Sequence, residues 1–124
     1  MASLDGAPHG IPLNFAFDGD YIYFHCALEG KKIDLLSVNG NVSLCVVGKT
    51  EVLPEKFSTK YESVVAAGIV EELFNKEKRA GLILLVRKYS PDHFTQGLEY
   101  IDGFADKTRV FRIRLESITG KARR

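Results

Sequence analysis

Two stretches of this chain alternate with the period of two that an extended strand imposes, and they constrain the fold most. Tyr21 to Cys26 puts Tyr21, Tyr23 and His25 on one face and Ile22, Phe24 and Cys26 on the other. Val110 to Leu115 turns Phe111, Ile113 and Leu115 inward and leaves Arg112 and Arg114 as a solvated face. Other runs join them. Ile11 to Phe17 reads as a strand, and Asp18-Gly19-Asp20 is a hairpin turn leading into Tyr21. Val42 to Val47 is almost wholly apolar, which predicts a strand buried on both faces. Gly48-Lys49 is a turn, and Thr50 to Leu53 continues antiparallel. Tyr61 to Glu71 carries Val64, Val65, Ile69 and Val70, with Gly68 marking a bulge or a bend.

Helical signals are fewer. Gly30 precedes a short helical stretch, Lys31 to Val38, which Asn39-Gly40 ends because both tolerate left-handed backbone. Asn75 to Tyr89 has Leu82, Leu85, Val86 and Tyr89 at helical spacing, and Pro91 stops it. The order is mainly β with two helical excursions, an α+β chain whose simplest architecture is a small antiparallel barrel. With 124 residues, 45% of them hydrophobic, it forms one domain, residues 1–124.

Charge and targeting exclude several classes. Seventeen basic against sixteen acidic residues leave a net charge of +1, which excludes a strongly basic nucleic-acid binder. No apolar run approaches the roughly 18 residues of a membrane span, and the N-terminus lacks a signal peptide's basic and apolar regions. A cytoplasmic protein is expected. Cys26 and Cys45 lie in apolar strand-like runs and read as reduced core thiols. Two Cys and three His (His9, His25, His93) show no metal-ligand spacing, so no metal site is expected.

The segment that carries chemistry is Tyr21 to Asn39, YIYFHCALEGKKIDLLSVN. A strand ends, Gly30 allows a tight turn, and a helix begins on Lys31 and Lys32. Two lysines in a first turn oppose the helix dipole, which favours negative charge there. The free N–H groups of that turn and two ammonium groups together make a phosphate site. The alternative is two solvated surface lysines.

Five motifs in order resemble one family: PLNF at Pro12 to Phe15, YFHCALEGKK at Tyr23 to Lys32, the Leu36 to Asn39 spacing, KYESVVAAG at Lys60 to Gly68, and ITGK at Ile118 to Lys121. They resemble the pyridoxamine 5′-phosphate oxidase-like, FMN-binding split-barrel superfamily, and more closely its nitroimidazole-resistance branch. The resemblance runs from about residue 8 to the C-terminus. Members usually carry a further N-terminal helix and first barrel strand, and MASLDG would correspond to the end of that strand. Gly40 stands where related oxidases usually have Pro.

The resemblance implies a split β-barrel binding FMN at a homodimer interface, with the phosphate near the turn at Gly30. Lys32 matches the phosphate-binding lysine and Lys31 a neighbouring basic residue. Pro12, Leu13 and Asn14 match the strand beside the isoalloxazine ring, mainly through backbone groups. His25, Cys26 and Ala27 match the segment facing the ring and ribityl chain. Ser63 matches a polar position reaching the flavin, and Lys60 adds a second positive charge. His25 is the expected catalytic residue, a proton donor whose unperturbed pKa of about 6.5 suits neutrality.

Blander readings stand beside these. His25 fits a hydrogen-bonded histidine on a half-buried strand, Asn14 a strand-edge turn residue, and Ser63 a small residue allowing close packing. Tyr23 and Tyr61 read as core or interface aromatics, and His9 and His93 receive no role. Three functions follow. The first is an FMN-dependent oxidoreductase reducing a small nitroaromatic molecule. The second is a flavin or haem binding or storage protein without turnover, with His25 as an axial ligand. The third is a structural dimerisation module with a lapsed pocket. Pyridoxal phosphate metabolism ranks low, because the substrate-binding C-terminal segment of the true oxidases is not evident. No G-x-G-x-x-G fingerprint is present, so a nicotinamide donor would bind transiently.

Overall fold

The computed structural model describes residues 2–4, 7–30 and 40–123. The expected helix from Lys31 to Val38, with Lys31, Lys32 and the Leu36 to Asn39 spacing, lies outside the described residues. The strands are β1 (Ala2–Leu4), β2 (Ala7–His9), β3 (Ala16–Phe17), β4 (Tyr21–Ala27), β5 (Asn41–Val47), β6 (Glu51–Leu53), β7 (Ser58–Leu73) and β8 (Thr108–Arg123). Between β7 and β8 run helices α1 (Asn75–Tyr89) and α2 (Phe94–Phe104). Among the described residues β1 and β2 pair only with each other. The rest form one antiparallel sheet in the order β3-β4-β8-β7-β5, with β6 also on β7.

The fold is mainly β with helices, as the strand periodicity requires. Among the described residues the sheet is open rather than a closed barrel: its path ends on β3 and β5, which do not pair with each other. Several boundaries also differ from the sequence reading. Of Ile11 to Phe17, only Ala16–Phe17 joins the ladder. β5 is half-buried to exposed, not buried on both faces, because among the described residues it pairs with β7 alone at the sheet's edge. Its Cys45 is exposed, so only Cys26 is a core thiol; neither forms a disulfide. The break at Gly48 does not reverse the chain, since β5 and β6 both run antiparallel along the same side of β7. Helix α2 has no counterpart among the elements expected from the sequence.

The alternation of β4 is observed as predicted. Ile22, Phe24 and Cys26 pack with Ala66, Phe111 and Ile113 on one face of the sheet. The other face buries Tyr23, Leu73 and Val110 under Leu82 of α1 and Ile101 of α2. Each such apolar side chain removed from water stabilises the fold by about 1.5–3 kcal/mol. Helix α1 crosses the sheet at Gly81, where a Cβ would meet Val110 at 3.1 Å and Tyr23 at 3.2 Å. Arg112 is not a solvated residue. It is half-buried, pairs with Glu71 and Glu77, and lies 4.3 Å from the Tyr21 ring centroid. Arg114 is exposed.

β7 and β8 form a long ribbon broken once. Ala67 opposes Ser117 while Gly68 opposes Leu115, leaving Glu116 as one extra residue on β8. An inserted residue reverses the alternation beyond it. Ser117, Thr119 and Lys121 therefore line up with Ala67, Val65 and Ser63.

Candidate functional site

Helix α1 ends where Pro91 begins a short 3-10 turn, and α2 returns across it. The two helices approach closely because residue 97 is glycine: a Cβ there would fall 2.3 Å from Val86 Cγ1. Between this pair and β4 lies a cavity of about 440 Å³. Leu82, Leu85, Val86 and Ile101 form its apolar floor, and Tyr89, Tyr100 and Phe104 add aromatic walls. The Tyr100 and Phe104 rings stack at 5.0 Å. His25, Asn14, His93, Ser90, Gln96 and Thr108 supply the polar groups. Among the described residues no Asp, Glu, Lys or Arg lines it. An apolar, aromatic hollow with a few convergent polar groups suits a small aromatic ligand.

His25 reaches this cavity because β4 alternates, which puts it on the helix-covered face with Tyr21 and Tyr23. The strand is held at both ends. At its start, Asp18 Oδ1 accepts hydrogen bonds from the N–H groups of Asp20 and Tyr21, both at 2.8 Å. Its Oδ2 accepts from the Tyr23 hydroxyl at 2.8 Å. Burial alone would raise the Asp18 pKa; these hydrogen bonds outweigh it and hold the carboxyl below its usual value. Burial and the adjacent carboxylate push the Tyr23 phenol up to about 12. At its end, the buried Thr108 hydroxyl donates to the Cys26 carbonyl at 2.9 Å, beside His25.

The other expected site residues divide into groups. Asn14 lines the cavity with His25, while Pro12 is exposed and Leu13 packs toward the opposite core. Cys26 faces that opposite core, so His25 and Cys26 do not share a face. Ala27 is exposed opposite Thr108. Gly30 has φ +145°, left-handed backbone that favours glycine, in open space. Lys60 and Ser63 sit at the far end of the ribbon. Lys60 lines a second hollow of about 360 Å³ with Lys49, Glu51, Tyr61, Glu62 and Arg123. Ser63 lies in register between Val47 and Lys121. His25 is opposite Val110 and Ser63 opposite Lys121, so about 35 Å of β8 separates them at 3.3 Å per residue. One FMN molecule does not span that length.

Sequence reasoning missed Tyr89 as a cavity residue, treating it as part of a core stripe. It also missed Tyr100 and Phe104, because α2 went unread. The signal was present: Phe94, Leu98 and Ile101 recur at helical spacing just after Pro91. His93 has no such signal; only the helix pairing brings it to the cavity.

A family model described as pyridoxamine 5′-phosphate oxidase matches residues 2–122. Among curated protein sequences none matches. Among solved structures, one similar chain is a candidate 5-nitroimidazole antibiotic resistance protein from Bacteroides thetaiotaomicron, 30% identical with a TM-score of 0.80. The alignment covers 98% of this chain and 72% of that one. An FAD-binding protein from Mesorhizobium loti is 25% identical with a TM-score of 0.66, over 99% of this chain and 83% of that one. An FAD and haem binding protein from Mycobacterium smegmatis is 18% identical with a TM-score of 0.79, over 98% and 62%. That last likeness is one of fold.

Proposed function

Because the chain belongs to the pyridoxamine 5′-phosphate oxidase family, we propose that it is a flavoprotein: an FMN-dependent oxidoreductase that reduces small nitroaromatic compounds of the 5-nitroimidazole kind. One observation carries this reading. Asn14 and His25, from separate segments, meet on one apolar, aromatic cavity that no charged side chain lines among the described residues. The 30% identical relative, a candidate 5-nitroimidazole resistance protein, supports the substrate class.

The residues fit a flavin in two parts. The cavity offers aromatic walls and neutral hydrogen-bonding groups, which suit a ring system. Lys49, Lys60 and Arg123 outnumber Glu51 and Glu62 around the second hollow, and the net positive charge there suits an anionic phosphate. The length of ribbon between His25 and Ser63 supports a homodimer, in which one protomer contributes the His25 end and its partner the Ser63 end. The uncovered part of the sheet also supports it. Cys45, Val47, Val65 and Thr119 are exposed on adjacent strands there, an apolar area that a second copy would cover.

When bound, the flavin supplies the electron transfer, and the protein supplies binding, orientation and electrostatics. Reduction of a nitro to a nitroso group takes up two electrons and two protons and releases water. One of those protons comes with the electron pair from the reduced flavin, and a ring nitrogen of His25 delivers the second. Asn14 orients polar edges of what binds, and Tyr100 and Phe104 exclude water. Two cysteines that form no disulfide, one of them exposed, support a reducing cytoplasm. Among the described residues no helix is long and apolar enough to cross a membrane.

A second reading is a flavin or haem binding or storage protein without turnover. It draws on His25 and His93, two imidazoles on one apolar cavity. An absorption spectrum of the purified chain, before and after adding FMN, tests both. Flavin bands co-eluting with a dimer are expected. A Soret band selects haem, and a chain that stays colourless with added FMN removes the flavoprotein reading.

A further inference from the structure

We propose that Tyr89, assisted by Lys88, is a positioning residue that holds the Asn14 segment in place for the flavin ring. This rests on the flavoprotein reading above. Residues 10–15 belong to no ladder, yet the peptide groups on both sides of Phe15 are bonded. The Phe15 N–H donates to the Tyr89 hydroxyl at 3.0 Å. The same hydroxyl donates to the Phe15 carbonyl at 2.9 Å. One side-chain oxygen thus does what a neighbouring residue does in a hydrogen-bonded antiparallel pair, satisfying both N–H and C=O of one residue. Lys88 Nζ adds a bond to that carbonyl at 2.7 Å and lies 3.7 Å from the Phe15 ring centroid.

The consequence falls on Asn14. The Phe15 N–H belongs to the Asn14–Phe15 peptide plane, so fixing it fixes the direction of the Asn14 carbonyl, which in a trans peptide points the opposite way. The Tyr89 hydroxyl has used its single proton and one lone pair on Phe15. Tyr89 also lines the cavity. It therefore joins two walls: the end of α1 and the segment that carries Asn14.

Tyr89→Phe keeps the ring and removes the bridge. In the flavin-free full chain, hydrogen exchange at the Phe15 amide should accelerate roughly tenfold or more, while buried strand amides such as Val110 stay protected. Affinity for FMN and for riboflavin should both fall, by the same factor of roughly five to ten, because the ring end is disturbed and the phosphate end is not. Lys88→Met should leave the Phe15 amide protected and weaken both flavins less. If wild type binds both flavins and Tyr89→Phe binds them equally well, the positioning role is overturned while the flavoprotein reading stands. Unchanged Phe15 exchange in Tyr89→Phe overturns the bridge itself. A wild-type chain that binds neither flavin removes the underlying reading, and the positioning role with it.

Discussion

The carbonyl of Arg114 occupies the space that a side chain at position 68 would need: a Cβ on Gly68 would stand 2.1 Å from its oxygen and 2.9 Å from its carbon. Both atoms are backbone, held in the β7–β8 ladder at the point where Glu116 is inserted. The neighbour cannot swing away. Gly68→Ala should therefore destabilise the protein by about 3 kcal/mol or more, at the upper end of overpacking effects. Denaturant unfolding of the purified variant measures this. A loss under about 0.5 kcal/mol, typical of a surface change, would show that the bulge relaxes freely.

A similar approach between Gly97 and Val86 has a different remedy. The clashing atom is a side-chain methyl, at 2.3 Å, on a β-branched residue with one preferred helical rotamer. Gly97→Ala alone should cost about 1–3 kcal/mol and narrow the cavity. Adding Val86→Ala removes the clash, so the double variant should be more stable than the sum of the two single losses. Thermal melts of the four proteins close the cycle.

The hairpin ahead of His25 should give the protein two pH limits. The Asp18 carboxylate has a folded pKa below its unfolded value of about 3.9. Its contribution is present above that value and lost as pH falls through the folded pKa. Tyr23 titrates near 12 in the folded state against about 10 unfolded, so its contribution is whole below 10 and lost as pH rises through 12. In Asp18→Ala the acid-side loss attributable to this carboxylate should vanish and the Tyr23 phenol should ionise at lower pH. Phenolate absorption and unfolding free energy, each followed against pH, report the two halves.

Lys32→Ala should weaken FMN binding by about 1.5–3 kcal/mol, the range for a hydrogen bond to a charged group. Riboflavin, which lacks the phosphate, should bind this variant as it binds wild type. Titration with both ligands separates a phosphate contact from an effect on the fold; equal losses would assign Lys32 to the fold.

The parts of this protein legible in its sequence are those set by short-range periodicity. The two faces of β4, the inward run Phe111, Ile113 and Leu115, the limits of α1 and the irregularity at Gly68 all follow from residues spaced two, three or four apart. α2 is equally local, with Phe94, Leu98 and Ile101 at helical spacing. The family is legible too, because its motifs lie in order along the chain. What tertiary structure decided depends on neighbours distant in sequence. Val42 to Val47 is apolar enough for a fully buried strand, yet it became an edge strand because only β7 pairs with it. Ile11 to Phe15 has a strand's composition, yet Phe15 spends its N–H and carbonyl on the hydroxyl of Tyr89, 74 residues away. The cavity beside His25 exists because Gly97 lets α2 close on Val86, bringing His93 and Tyr100 to a strand they do not adjoin in sequence. A residue's periodicity states which way it faces; only the assembled chain states what lies opposite.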